Sequence, residues 1–428
     1  MLSAFVNAFR TPDLRRKLLF VLLVIVLFRL GSTVPTPGVD YVQVHEATKS
    51  VGSDGIYGLI NLFSGGALLK LTVFALGIMP YITASIILQL LTVVIPRLEA
   101  LKKEGQSGVA KITQYTRYLT LGLAILQSTG IVALARTGQL LGGSDSLLVN
   151  DKISTMLIMV ITMTAGTATI MWLGELITEH GIGNGMSIMI FTSVISAFPS
   201  ALWAIKNEHG WDVFAIVVGI GLVIIAAVTF IEQAQRRIPV QYARRMVGRK
   251  MFGGTSTYIP LKVNQAGVIP VIFASSLLYL PALASQFNPN STWSIWVSGH
   301  LVRGDHPYYM MLYFGLIVFF TYFYVAITFN PEEVADNMKK FGGFVPGIRA
   351  GKPTQEYLAY VLSRITFPGS LYLGVVALVP LIALVLVNAN QNFPFGGTSL
   401  LIMVGVGLDT VKQIESQLQQ RHYEGFLR

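Results

Sequence analysis

Apolar residues in this chain fall in long unbroken runs, and the polar residues gather between them. Runs without interior charge clusters occur at 17–35, 71–96, 119–135, 153–173, 187–205, 213–231, 268–286, 308–329, 365–387 and 398–408. A helix needs about 20 apolar residues to cross a hydrocarbon core about 30 Å thick. The pattern therefore predicts an all-α polytopic membrane protein of about ten transmembrane helices. One further apolar segment is too short to span. Ile56, Leu59, Ile60 and Phe63 recur at i, i+3, i+4 and i+7, then Gly65 and Gly66 end the pattern. At about 1.5 Å per residue that helix is roughly 15 Å long. Irregular backbone at membrane depth is tolerated where it is buried in protein or lines a cavity. The segment 55–69 is thus predicted to be a plug helix within something hollow. A helix lying on the membrane surface satisfies the same periodicity.

Charge orients the spans. Short cytoplasmic loops carry an excess of Lys and Arg, and these residues collect in alternate connections. Arg10, Arg15, Arg16 and Lys17 precede the first span; Arg97, Lys102, Lys103, Lys111 and Arg117 follow the second. Arg236, Arg237, Arg244, Arg245, Arg249, Lys250 and Lys262 follow the sixth, and Lys339, Lys340, Arg349, Lys352 and Arg364 the eighth. Both termini are then expected in the cytoplasm. The segment 174–185 breaks the rule, carrying Glu175, Glu179 and His180 but neither Lys nor Arg. The first span lacks a small-residue cleavage pattern and contains Arg29, which predicts a retained helix.

Five spans precede the short connector 206–212 and five follow it. An odd number per half places the halves in opposite orientations, the arrangement of inverted repeats with a site or pore between them. The expected division is 1–205, an external hinge at 206–212, and 213–428 with long cytoplasmic loops at 232–265 and 330–364. Composition agrees with membrane residence: 53% of the 428 residues are hydrophobic and 12% charged, against about a quarter charged in soluble domains.

Several chemistries are missing. The chain has no cysteine, hence no disulfide or thiolate metal site. His45-Glu46 is followed by Lys49 where a zinc-protease helix needs its second histidine. Gly351-Lys352 runs into Pro353 without the glycine that opens a phosphate-binding loop, and Gly181, Gly183 and Gly185 read as a tight turn opening a helix. No catalytic residue, metal site or cofactor is predicted. Ion-coupled carriers need ionisable groups near the midplane, and Arg29, Glu175 and Asp409 lie toward span ends. The 232–265 loop mixes basic residues with β-formers as a projecting hairpin does. The run from Phe344 to Arg349 sets one arginine on a turn fixed by Pro346 and Gly347. Positive-inside topology and anionic lipid headgroups account for the same charges, but not for loops of this length.

Ten short runs resemble one family: SGGAL at 64–68, LGIMPYI at 76–82, QYTRY at 114–118, MWLGE at 171–175, GIGNG at 181–185, LKVN at 261–264, AGVIP at 266–270, FVPGIR at 344–349, FGGTS at 395–399 and YEGF at 423–426. On these the chain is identified as a member of the SecY family of the bacterial protein-conducting channel, with the resemblance covering essentially its whole length. The resemblance implies two inverted halves, a plug, a narrow apolar ring and a lateral gate. The plug maps onto Ile56, Leu59, Ile60, Phe63, Gly65 and Gly66. The ring maps onto Ile78, Ile82, Met186, Ile190, Ile272 and Ile402, with Met186 standing where isoleucine is usual. Such a ring excludes ions by dewetting and seals around any polypeptide, because apolar contact is nondirectional.

The resemblance further implies a gate between the second and seventh spans, with Thr83, Ala84 and Ser85 facing Ala274, Ser275 and Ser276. Gln89, Gln127 and Asn264 correspond to a polar cluster near its cytoplasmic end. Arg117, Arg249 and Arg349 are assigned to docking of the motor ATPase SecA or of the ribosome through its RNA phosphates. Ala350 replaces the proline usual after this arginine. The other implied partners are the SecE and SecG subunits, with 331–340 helping to seat SecE, together with signal peptides, nascent chains and anionic lipids. The implied location is the bacterial plasma membrane. An inverted-repeat carrier of small solutes and an intramembrane enzyme are the competing functional classes, the first predicting saturable uptake by this chain alone, the second a polar catalytic cluster at membrane depth.

Overall fold

The computed structural model describes residues 9, 11–50, 64–137, 146–242, 245–247, 250–252, 256–287, 291–301, 306–387 and 397–426. Each predicted apolar run overlaps a helix. The first part comprises α1 (Pro12–Gly31), α2 (Tyr41–Ser50), α3 (Met79–Val94), α4 (Pro96–Lys103), α5 (Gln106–Arg136), α6 (Ile153–His180) and the long α7 (Gly185–Gln233). After a small β region come α8 (Ile269–Phe287), α9 (Thr292–His300), α10 (Pro307–Thr328), α11 (Pro331–Lys340), α12 (Lys352–Val387) and α13 (Gly397–Phe426). Among the described residues five helices are long and apolar enough to cross a membrane, or six if the bent pair α3 and α4 is one span.

The structure departs from the apolar runs in identifiable places. The run at 71–96 is only partly helical. Residues 64–78 form successive turns, with Gly65, Gly66 and Gly77 at φ 65°, 87° and 55°. Neighbouring chain satisfies this backbone: Thr36 N–H donates to Leu71 O (3.0 Å) and Val73 N–H to Val34 O (2.9 Å). Phe74 anchors the segment by stacking on Phe28, with ring centroids 6.0 Å apart. Glycines leave room for it. A Cβ on Gly31 would lie 2.1 Å from the Phe74 ring, and one on Gly166 2.1 Å from Val73 O. Helix α3 starts where Pro80 fits its first turn, and it bends by 99° into α4. Ile95 precedes Pro96 and is forced into the extended region, at φ −99° and ψ 111°.

Helix α5 begins well before its apolar run, so Lys111 and Arg117 are helical rather than in a loop. Likewise α6 continues to His180, which puts Glu175 and Glu179 on a helix and leaves only a short turn before α7. Asn184 closes that turn by accepting from Met186 N–H (3.0 Å) and Ser187 N–H (3.4 Å). The fifth and sixth runs are the two segments of α7, separated at Gly210, whose φ of 83° and ψ of −177° are not helical. Lys206 bridges the break, its ammonium 3.8 Å from the Trp203 ring centroid and 4.3 Å from that of Trp211.

The two long polar loops are one body. Strand β1 (Gln235–Tyr242) pairs antiparallel with β4 (Ser256–Lys262), Ile238 opposite Ile259, and β5 (Gly343–Phe344) adds to the other edge of β1. A short pair, β2 (Arg245–Val247) with β3 (Lys250–Phe252), extends the hairpin. Ile238, Val240 and Leu261 from the hairpin, Met338 from α11, Val345, and Leu358 and Val361 from α12 form a single apolar core. Inward alternation of apolar side chains on β1 joins the hairpin to the segment that carries the Arg349 turn.

Candidate functional site

The six residues assigned to the ring come from four places in the sequence. Ile78 and Ile82 start α3, Met186 and Ile190 start α7, Ile272 lies in the second turn of α8, and Ile402 in that of α13. All belong to one apolar cluster, five fully buried and Met186 packed against them. Close helix approach sets Met186 in place. A Cβ on Gly185 would lie 1.8 Å from Gly174 O, and one on Gly174 would lie 2.6 Å from Met186 Sδ. Gly185 N–H also donates to Thr178 Oγ1 at 2.9 Å, fixing α7 against α6.

Above this cluster lies a cavity of about 400 Å3. Its lining includes the apolar Ile82, Met186, Ile190, Ile272 and Phe273 and the polar or charged Gln89, Arg117, Glu175, Glu179 and Asn184. Arg117 Nε donates to Glu175 Oε1 at 2.8 Å, joining α5 to α6 beside the cavity. Arg117 therefore lines the cavity from within a helix, rather than standing in a loop. A second cavity of about 180 Å3 shares Ser187, Ile190, Ile269 and Ile272 with the first and is lined by Glu232, Lys262, Asn264 and Asp409.

The residues assigned to the gate sit on two helices that pack together, α3 and α8. Ala84 and Ala274 are fully buried, as are Thr83 and Ser276, while Ser85 and Ser275 are half-buried. Thr83, Ser275 and Ser276 each donate to the carbonyl four residues back, at 3.0, 2.6 and 2.8 Å, so none of these hydroxyls needs a partner across the seam. No hydrogen bond joins Gln89, Gln127 and Asn264 to one another among the described residues. Gln89 faces the larger cavity and Asn264 the smaller. Gln127 is buried in α5 with Nε2 unpartnered.

Ile56, Leu59, Ile60 and Phe63 of the plug lie outside the described residues, as does Arg249. Gly65 and Gly66 are described and are left-handed, as a glycine break requires. Arg349 is exposed on the turn after β5, where Gly347 and Gly351 have φ of 81° and 100°. Buried Thr354 donates to the Arg349 carbonyl at 2.9 Å and holds this turn.

Two charged residues acquire partners that sequence reading did not supply. Arg29 Nη1 donates to Gly65 O (3.0 Å) and to Ser196 Oγ (2.8 Å), tying α1 to the glycine break and to α7. Glu232, 7% exposed at the end of α7, accepts from Asn264 Nδ2 at 2.5 Å. Arg29 reads in sequence as a charge toward a span end, and nothing in the sequence singles out Glu232.

The profile of the SecY family matches residues 72–411, about four fifths of the chain and every position assigned to the ring. This chain belongs to the SecY family. The protein translocase subunit SecY of Streptomyces galbus is 68% identical to it over 437 aligned positions, covering 100% of both chains. The fold is similar to a solved protein-conducting channel, with a TM-score of 0.64, 19% identity and coverage of 94% of this chain and 91% of that one. It is similar as well to Sec61 in the canine ribosome–channel complex from the endoplasmic reticulum, with a TM-score of 0.61, 18% identity and coverage of 94% and 91%. As a SecY family member with several apolar helices, the chain is a multi-pass membrane protein.

Proposed function

We propose that this chain is the channel-forming subunit of a protein translocase, passing unfolded secretory polypeptides across the plasma membrane and releasing apolar segments into lipid between α3 and α8. One observation carries the reading. Six side chains spread from residue 78 to residue 402 belong to one apolar cluster, and four of them, Ile82, Met186, Ile190 and Ile272, line one cavity together with polar and charged side chains. An apolar constriction in such a cavity repels hydrated ions while closing around any polypeptide. The site residues take the roles their positions suit: the ring of Ile78, Ile82, Met186, Ile190, Ile272 and Ile402 as constriction, Gly65 and Gly66 as the hinge of the plug, and the small residues of α3 and α8 as the gate seam.

The halves 1–205 and 213–428 act as two leaves hinged at 206–212, where Gly210 interrupts α7. Both termini lie in the cytoplasm. The β1–β4 hairpin and the Arg349 turn then project there as docking surface for a motor ATPase of the SecA type or a ribosome, which supplies the energy. The solved canine relative sits in a ribosome–channel complex, and it supports the second partner. SecE and SecG are the expected small subunits, and anionic headgroups the neighbours of the basic loops.

The test is crosslinking of an arrested secretory chain. Because the sequence lacks cysteine, single cysteines at Ile82, Ile190 and Ile272 can each carry a photoactivated probe. Adducts with the arrested chain at all three, and none at lipid-facing Leu23, are expected. Absence of ring adducts together with saturable uptake of a small solute would replace the reading with a carrier.

A further inference from the structure

The hairpin that projects from the membrane body is fastened at its base by a buried polar contact. Glu232 closes α7, and β1 begins three residues later; Asn264 follows β4 by two residues and precedes α8. The two side chains, 7% and 2% exposed, bond across this base. Asn264 Nδ2 also donates to Gly267 O at 3.1 Å, closing the turn that leads into α8, in which Gly267 has φ 63°. The ladder continues into the base, with Val263 N–H donating to Ala234 O at 3.0 Å. A carboxyl group this buried is costly to leave without its hydrogen bond, so the contact resists separation of its partners.

The same base is gripped by helices on either side. A Cβ on Gly369 of α12 would lie 2.4 Å from Val263 O, and one on Gly405 of α13 would lie 2.3 Å from the Val268 side chain. Lys262 Nζ lies 3.4 Å from Asp409 Oδ1, adding a tether to α13. Beyond this pivot α8 carries Ile272 of the apolar cluster and Ser275 and Ser276 of the seam with α3. A tilt of the hairpin about the pivot therefore acts on the start of α8 through Asn264.

We infer that Glu232 is a positioning residue that couples a partner docked on the hairpin to the seam between α3 and α8. The contact makes hairpin and α8 move as one body; without it, the hairpin still docks but its tilt is absorbed in the 263–268 turn. This rests on the translocase reading. Removing the acceptor costs a buried hydrogen bond, which corresponds to about a tenfold change in a coupled equilibrium.

The experiment uses the assembled translocase in vesicles with its motor ATPase, and reads motor affinity, export rate and the distance between spin labels at exposed Val93 of α3 and exposed Leu277 of α8. For the unaltered chain, docking should widen that distance and drive export; failure there defeats the translocase reading itself. Glu232→Ala should leave motor affinity within about twofold while export falls about tenfold and the label distance stops responding. Glu232→Gln, whose amide oxygen accepts the same bond, should behave as the unaltered chain. Should Glu232→Ala not assemble, Glu232→Met, of similar volume but unable to accept the bond, is read in its place with the same outcomes expected. Normal export by the variant that lacks the acceptor, or equal loss in Glu232→Gln, would overturn the coupling role.

Discussion

Ile78 and Ile82 lie one turn apart at the start of α3, and both side chains are buried in the apolar cluster that also holds Ile272 and Ile402. Removing both side chains leaves polar backbone and space where water was excluded. Ile78→Gly with Ile82→Gly is therefore expected to raise resting ion conductance in planar bilayers; conductance unchanged from wild type would remove these residues from the constriction. The arginines divide by environment. Arg349 is exposed on a turn held by Thr354, so Arg349→Glu should lower motor-driven export severely while thermal stability and resting conductance stay near wild type. A guanidinium there can make several directed bonds to a partner's carboxylate or phosphate, and a carboxylate would repel the same group. Arg117 is bonded to Glu175 instead. Arg117→Glu sets like charges together in the lining of the larger cavity, and adding Glu175→Arg should restore export toward wild type. If the second change gives no recovery, the pair has no functional role.

Among elements, the junction of α6 and α7 is the tightest point next to the ring. Gly174 and Gly185 touch backbone to backbone, and this closeness, together with the Asn184 cap, brings Met186 and Ile190 inward. Gly185→Ala must push the helices apart, costing about 1–3 kcal/mol as overpacking does. It should lower the thermal unfolding midpoint and raise resting conductance together, because the displaced helix start carries Met186. A lowered midpoint with unchanged conductance would separate packing from sealing. Segment 64–78 shows the same logic with a different outcome. Its apolar residues pack on α5 and α6, with Phe74 on Phe28 of α1, while its backbone bonds are local turns plus two to Val34 and Thr36, so a run that is apolar enough to span is instead buried as turns.

For the whole molecule, the loops that looked like two docking tips share one apolar core outside the helix bundle. Leu261 is fully buried in it. Leu261→Ala should destabilise this body by about 2–5 kcal/mol. Motor affinity should fall and resting conductance stay unchanged, since the ring lies in a separate cluster. Loss of ion tightness in that variant would show that the two bodies are not independent.

Apolar run length alone determined that the chain lives in a membrane as a helical bundle, because a bilayer core demands about 20 apolar residues per helix and offers no other way to satisfy backbone. The glycine break at 65–66, the turn at 181–185 and the hairpin at 235–262 were legible as well, each from residues whose backbone preferences are local. The six ring residues were named from family resemblance; singly, an isoleucine in so apolar a chain says nothing about what it faces. Tertiary packing decided that they share one apolar cluster and that four of them line one cavity. It likewise decided that Arg117 turns to Glu175, that Glu232 turns to Asn264, and that the run at 71–96 becomes helical only from Met79. Those outcomes depend on which distant side chain or carbonyl reaches a polar group first when water is absent, and periodicity along one segment carries no record of that competition.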